Sequence, residues 1–315
     1  GIRDRSPSRG LGDGYKRQAF ENTPAGSCLL WIEELVRMPG AESDLTEWKR
    51  QLWLSADICN SLPYRQSRKV YLAVYAAERT GNPHAFDHGT RDGHLLEQII
   101  EKDLELRNRK VELSEAFPAY KRQKSYLLAG LLIDDVSNYA LLSGVHAVKK
   151  DGVYHRGMEG FCAEQNMVQV PLAVLSEWER MECDHNEIWI VENPSIFARL
   201  CGEYPCMCMN GQPRLAGLLV LDLLAEAGTV IHYAGDLDPE GLLIAQKLSQ
   251  YYKGAFYYWH MTEEDYHMCR SKEALSERRI GMLQKITDPQ LLPVARAIAE
   301  YGMAGYQEKI DYRGR

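Results

Sequence analysis

The carboxy-terminal part of the sequence predicts an α/β fold built on a parallel sheet, and the part before it predicts mainly helices. From about residue 181, short runs rich in β-branched and aromatic residues alternate with apolar helical patterns, the order typical of a parallel sheet with right-handed crossovers. Before about residue 143, apolar residues recur instead at a period near 3.6. We therefore predict a disordered basic tail over residues 1–18, a helical or winged-helix-like domain that binds DNA or a partner over 19–180, and an α/β domain over 181–315.

Composition excludes several classes of protein. The 315 residues are 45% apolar and 26% charged, which is ordinary for a globular chain, and the net charge of −7 is not that of a general nucleic-acid binder. Any contact with nucleic acid would need a local basic patch or a partner subunit. Eight cysteines without a framework spacing indicate reduced thiols, so we expect a cytoplasmic protein. No apolar run approaches the ~20 residues of a membrane span, and we expect no membrane association.

The helical part divides at turn signals. Gly81 ends one apolar pattern, and Asn82-Pro83 blocks its continuation. The Asp151-Gly152 pair is a hairpin signal within a stretch rich in Gly, Val and Tyr, which we interpret as a small antiparallel element or the wing of a winged helix. Helices are predicted over residues 28–38, 45–59, 67–81, 94–107, 124–144 and 171–181, and the antiparallel element over 144–172.

The α/β part contains four predicted strands separated by three helices. Pro194 and Pro213 stand at helix starts, where a missing backbone N–H costs nothing, and Gly228 stands at a helix end. The strands are predicted over residues 187–191, 206–209, 229–234 and 255–260, and the helices over 195–200, 213–228 and 239–252.

Three acidic residues follow two of these strands. Glu192 comes directly after the first strand, and Asp236 and Asp238 come directly after the third. Ligands of parallel sheets bind beyond the carboxyl ends of the strands, so the three carboxylates would share one rim if the two strands are neighbours. Asp238 also precedes Pro239 and fits the N-cap of the next helix.

The chemistry expected of this group is the binding of a divalent cation. Clustered carboxylates suit Mg²⁺, a hard ion that takes oxygen ligands and keeps waters for a substrate phosphate. One or two such ions can clamp a phosphodiester and lower the pKa of an attacking water. Taken singly, Asp238 is a helix cap and Glu192 an ordinary loop acid. The joint pattern favours metal binding.

Two stretches resemble the signatures of a known fold family. "VEN" at residues 191–193 and "YAGDLDPEGLLIA" at 233–245 are similar to the two motifs of the TOPRIM domain, the metal-binding fold of topoisomerases, primases and several nucleases. A wider likeness is to the JetD (MksG) subunit of type II/III Wadjet systems. The similar stretches are "GNPHAFDHGTRDGHLLEQII", "LLIDDVSNYALLSG", "CMNGQPRLAGLLVLDLLAEAG", "YWHMTEEDY" and "YGMAGYQEKI".

This resemblance implies a specific function. It implies a TOPRIM catalytic domain over residues 181–315 and a DNA endonuclease subunit, dependent on Mg²⁺ or Mn²⁺, of an SMC-like complex that defends cells against plasmids. The implied partners are circular plasmid DNA, an SMC-like ATPase, kleisin and kite-type subunits, and a second copy of the chain.

The resemblance also implies roles for single residues. Glu192 would be a metal ligand and general base, Asp236 and Asp238 the metal pair, and Glu308 a further ligand. The family often has Phe-Asp-Trp-Pro where residues 237–240 are Leu-Asp-Pro-Glu, so the entry into the helix differs while both aspartates remain. No tyrosine is singled out as a nucleophile, and we expect hydrolysis by water.

Alternatives remain open from sequence. The chain could be a non-catalytic DNA-binding scaffold subunit, or a TOPRIM enzyme that acts on RNA or as a primase. Residues 84–94, rich in His and Asp, could bind a transition metal but fit a polar turn better. The three cysteines of residues 201–208 could bind zinc but fit buried free thiols better. The basic and aromatic residues of 120–126 and 148–156 could follow a phosphate backbone or face solvent.

Overall fold

The computed structural model describes residues 45–112, 114–133 and 138–312, and these divide into two compact units. Of the described residues, the first unit contains 45–112 together with 119–133, and the second contains 114–118 and 138–312. The predicted tail over residues 1–18 and the predicted helix over 28–38 lie outside the described residues.

The first unit is mainly helical, as predicted. Leu52 and Ile58 lie on the buried side of the first helix, and Ile99 lies on the buried side of the third, so the two helices pack through apolar stripes. Buried Asp103 accepts hydrogen bonds from Arg65 Nη2 at 2.8 Å and Arg107 Nε at 2.7 Å, which compensate its charge. The elements are α1 (Leu45–Ser61), β1 (Val70–Tyr71), α2 (Leu72–Thr80), α3 (Arg91–Leu106), α4 (Pro118–Leu128) and β2 (Leu131–Leu132).

The second unit is built on a six-stranded, mostly parallel sheet. Its strands are β3 (Tyr139–Ser143), β5 (Val168–Pro171), β7 (Glu187–Val191), β8 (Cys206–Cys208), β9 (Val230–Ala234) and β10 (Phe256–Tyr258). The strand order is β10-β9-β7-β8-β3-β5, in which β10, β9, β7 and β8 are mutually parallel and β3 is antiparallel to both of its neighbours, β8 and β5. The four predicted strands of the parallel α/β arrangement are confirmed. The antiparallel strands extend the same sheet to residues before 181.

Shorter elements complete this unit. Two antiparallel pairs lie outside the main sheet: β4 (Val145–Lys149) with β6 (Trp178–Cys183), and β11 (Arg270–Ala274) with β12 (Met303–Gly305). The helices are α5 (Arg156–Ala163), α6 (Leu172–Leu175), α7 (Pro194–Leu200), α8 (Leu215–Glu226), α9 (Pro239–Tyr251), α10 (Glu263–Cys269), α11 (Glu277–Met282) and α12 (Leu292–Tyr301). Among the described residues, none of the helices is long and apolar enough to cross a bilayer.

The predicted helix over residues 124–144 is wrong beyond Leu128. Gly130 adopts a φ of +84°, and its backbone packs so closely on Tyr64 that a Cβ would lie 2.7 Å from the Tyr64 nitrogen. The apolar residues that follow form β2, which pairs with β1, and β3, which is inserted between β5 and β8. A short buried apolar run suits a strand as well as a helix, and its pairing partners decide which one forms.

The predicted helix over residues 171–181 is also mostly wrong. Only α6 is helical, and Trp178 and Met181 lie buried on β6. This segment forms a strand because its backbone pairs with the backbone of β4. The Asp151-Gly152 turn is confirmed, with Gly152 at a φ of +77°. The chain returns antiparallel after this turn through one bridge between Val148 and Tyr154, while β4 pairs along its length with β6 and β5 joins the main sheet, so residues 144–172 do not form one separate wing.

The packing of Gly241 in α9 leads to a test of the fold. A Cβ on Gly241 would lie 2.2 Å from the carbonyl oxygen of Asp236, so the helix approaches the preceding loop more closely than any side chain allows. We expect Gly241→Ala to lower the free energy of unfolding by roughly 2–3 kcal/mol, as other overpacking substitutions do.

The matched control is Gly281→Ala in α11, where an added Cβ meets nothing within 4 Å. This change should be neutral or stabilising by up to roughly 1 kcal/mol, because alanine has the higher helix propensity. Urea denaturation of both variants makes the comparison, and equal stabilities would contradict the close approach.

Candidate metal centre

Backbone pairing brings the carboxyl ends of β7 and β9 together. Val191 is paired with Ala234, and the Glu192 N–H donates to the Ala234 carbonyl at 3.2 Å. Glu192 and Asp236 therefore leave adjacent strands at the same edge of the sheet, as the sequence predicts. Gly235 lies between them, and a Cβ there would come within 3.3 Å of both Glu192 Oε2 and the Tyr233 hydroxyl. Glycine at this position therefore avoids crowding the Glu192 carboxylate.

The carboxy-terminal segment closes the opposite side of the centre. Leu237 exchanges two backbone hydrogen bonds of 2.9 Å with Gly305 at the end of β12. The Gln307 N–H then donates to Asp236 Oδ1 at 3.1 Å, and the Gln307 side-chain oxygen accepts from the Asn193 N–H at 3.2 Å. Gln307 thus ties both acidic loops to one turn, although 71 residues or more separate it from either in sequence.

Burial dominates the electrostatics of Glu192. Desolvation first, and then the charges of Asp236 and Asp238, raise the pKa of Glu192 to about 7, while the Asp236 backbone N–H opposes the rise. Glu192 Oε2 is buried without a hydrogen-bond partner among the described residues. An orphaned carboxylate oxygen of this kind leaves a ligand position open to a cation.

Asp236 shares this environment. Desolvation first raises its pKa to about 6, and the charges of Asp238 and Glu308 add to the effect, whereas the Gln307 N–H lowers it. The Glu308 carboxylate itself is exposed and accepts a hydrogen bond of 2.6 Å from Asn193 Nδ2. Glu308 therefore lies at the margin of the centre, near enough for its charge to act on Asp236.

Asp238 is held differently from the other two acids. Its Oδ1 caps α9 by accepting from the Gly241 N–H at 2.8 Å, as the sequence predicts. Its Oδ2 accepts from Arg279 Nη2 at 2.6 Å, and the same guanidinium binds Glu240 through Nε and Nη2 at 2.7–3.0 Å. Sequence reasoning missed Arg279 and Gln307, because nothing in their local pattern indicates a contact with the acids.

The donor set fits a hard divalent cation. Its members are carboxylate oxygens, two of them with raised pKa values, and a bound cation would relieve both the desolvation and the mutual repulsion. Within residues 45–112, 114–133 and 138–312, no three His, Cys, Asp or Glu side chains already stand in the arrangement of a metal cage. Binding would therefore require the side chains of the centre to reorient.

The other candidate sites have structural explanations. His84 and His88 contact Asp87 and Glu97 in an exposed turn before α3, and Thr90 caps that helix. The cysteines that the structure describes are free thiols, and Cys206 and Cys208 are buried on β8.

Lysines of the two basic stretches form ion pairs with acidic residues of the same chain. Lys121 pairs with Glu101 at 2.6 Å and Lys149 with Asp151 at 2.9 Å. These cations are therefore already partly neutralised.

The raised pKa of Glu192 gives a prediction about stability and pH. A folded-state pKa of about 7 against an ordinary value of 4.5 means that the folded protein binds the extra proton between these values. The stability from this group is complete below about pH 4.5 and is lost as the pH rises through about 7.

We therefore compare the free energy of unfolding of the wild type and of Glu192→Gln in EDTA. Between pH 5 and pH 8, we expect it to fall by on the order of 2 kcal/mol more in the wild type, since each pKa unit is worth roughly 1.4 kcal/mol. Chemical denaturation at several pH values measures the difference. Parallel pH profiles for the two proteins would show that Glu192 is not held in this environment.

Two family models match separate parts of the chain. Residues 168–311 match a family model described as protein of unknown function C-terminus (DUF2399), and residues 50–147 match one described as protein of unknown function N-terminus (DUF3323). A search of curated proteins gave no match. Neither description names an activity. The region that matches the C-terminal model contains Glu192, Asp236, Asp238 and Glu308.

Proposed function

We propose that this chain is the metal-dependent DNA endonuclease subunit of an SMC-like plasmid-defence complex, with its centre in a TOPRIM-like domain. The observation that carries the proposal is the half-buried pair of Glu192 and Asp236 at the ends of neighbouring strands, which have raised pKa values and, at Glu192, an orphaned carboxylate oxygen. A protein does not stabilise its fold by desolvating two carboxylates next to each other. Such a pair is typical of a site that acts on a ligand.

Glu192 and Asp236 would hold the ion, which is Mg²⁺ or Mn²⁺ by the hardness of the oxygen ligands. When bound, the ion supplies positive charge to the scissile phosphate and acidifies an attacking water. Without it, Glu192 takes up or releases a proton at Oε2 near neutral pH, because its pKa is about 7. Gln307 orients Asp236 through its backbone N–H, and the glycine at 235 keeps a Cβ from crowding Glu192 Oε2.

The substrate and the partners are part of the same proposal. The family matches favour a JetD-like subunit, and plasmid DNA with the SMC-like ATPase, kleisin and kite-type subunits is the corresponding assembly. The net charge of −7 supports loading of DNA by those partners, since the chain by itself repels a polyanion. Two copies of the chain would place one centre on each strand of a duplex.

Isosteric substitutions of the two half-buried acids, Glu192 and Asp236, test the activity. We expect Glu192→Gln and Asp236→Asn each to lower the rate of cleavage of supercoiled plasmid by at least about 100-fold, roughly 3 kcal/mol of lost transition-state stabilisation. The rates are measured in Mg²⁺ or Mn²⁺, with the chain in complex with its partner subunits.

The control is Glu187→Gln, because Glu187 begins the same strand β7 that ends before Glu192. Glu187 lies at the opposite end of this strand from Glu192, so the Glu187→Gln variant should cleave at the wild-type rate. Cleavage in EDTA, or full cleavage by either active-centre variant, would contradict the proposal. Metal-independent DNA binding without nicking would support a scaffold subunit instead, and cleavage of structured RNA in place of plasmid would support an RNA-processing enzyme.

A further inference from the structure

The acids of the centre fall into two groups that differ in whether a protein cation already neutralises them. Glu192 Oε2 has no hydrogen-bond partner among the described residues, and Asp236 Oδ1 receives a neutral backbone N–H. Asp238 Oδ2, in contrast, accepts a charged hydrogen bond of 2.6 Å from Arg279. Glu192 and Asp236 therefore have no hydrogen bond from a protein cation among the described residues, whereas Asp238 has one from Arg279.

Arg279 is held firmly in its place. Its Nε and Nη2 form a fork on Glu240 at distances of 2.7–3.0 Å, while Nη2 also reaches Asp238. The two carboxylates raise the pKa of the guanidinium further above its already high value, so its charge is permanent. Planar, bidentate contacts of this kind are the strong class of ion pair.

A divalent ion on Asp238 would compete with this arrangement. Mg²⁺ needs oxygen ligands at about 2.0–2.1 Å, and Asp238 Oδ1 is already used in capping α9. An ion on Oδ2 would lie within a few ångströms of the guanidinium and be repelled by it. Binding there would therefore require Arg279 to leave both Asp238 and Glu240.

We propose that Arg279 is the second cation of the centre, so that each chain takes one divalent ion, held by Glu192 and Asp236, while the guanidinium neutralises Asp238. This inference rests on the proposed function. The bonds of Arg279 to Asp238 and Glu240 run from Nε and Nη2, and about 30% of its side chain is exposed. Its Nη1 group can therefore donate to an anionic oxygen, such as that of a phosphodiester.

The test counts the Mn²⁺ ions bound per chain, by calorimetric titration and by electron paramagnetic resonance, which detects coupling between neighbouring ions. We expect one uncoupled ion in the wild type. Arg279→Gln removes the guanidinium and should raise the count to two, with the second ion on Asp238. Arg279→Lys keeps a positive charge and should keep the count at one. Arg278→Gln removes the same charge from an exposed neighbour on α11 and should also keep it at one.

Two further variants locate the ion. Asp236→Asn should weaken binding of the single ion by at least about 10-fold, a typical loss at a metal site. Asp238→Asn should weaken it less. Circular dichroism shows whether each variant folds.

The outcomes separate this inference from the proposed function. Two ions in the wild type, or one ion in folded Arg279→Gln, would overturn the role of Arg279 and leave a metal-dependent nuclease intact. A single ion that depends on Asp238 and not on Asp236 would also overturn it. No Mn²⁺ binding by the wild type would overturn the proposed function together with this inference. The wild-type count stands as a test even if Arg279→Gln does not fold.

Discussion

Two half-buried carboxylates at the ends of neighbouring strands are the constraint on which this centre depends. Desolvation favours the neutral form of each acid, and their mutual repulsion adds to the effect. Glu192 and Asp236 are nonetheless kept together, because each follows a strand of the same parallel sheet and the strands cannot separate without losing their hydrogen bonds. The sheet therefore supplies the free energy that opposes the repulsion, and the centre is poised for a ligand that removes it.

The carboxy-terminal segment determines the shape of the centre as much as the sheet does. Gly305 pairs with Leu237, and Gln307 contacts both acidic loops. Gly305 fits because a Cβ there would lie 2.8 Å from Cys269 Sγ and 3.1 Å from Leu237 Cβ. The loop that carries the aspartates is thus fixed on both sides, so small side-chain movements, rather than a rearrangement of the backbone, would suffice to bring the acids to one ion.

The separate environment of Asp238 changes how this acid should be understood. Relief of like-charge repulsion alone would make its removal harmless to the fold. In the structure it caps α9 and neutralises Arg279, so its loss would leave a helix end and a guanidinium without partners. The isosteric variants of Glu192 and Asp236 are for this reason the cleaner tests of chemistry.

The sequence by itself determined the parallel strands, the cap at Asp238 and the positions of Glu192 and Asp236 at the carboxyl ends of two strands. These features are local, since strand patterns, capping residues and the residue that follows a strand are read within a few positions. Tertiary structure alone decided that residues 131–132 and 139–143 pair as strands instead of continuing α4, that β4 pairs with β6, that β7 and β9 are neighbours, and that Arg279 and Gln307 reach the centre. The physical reason is that these outcomes depend on partners distant in the chain, whose hydrogen bonds and charges outweigh local preference and leave no trace in the neighbouring residues.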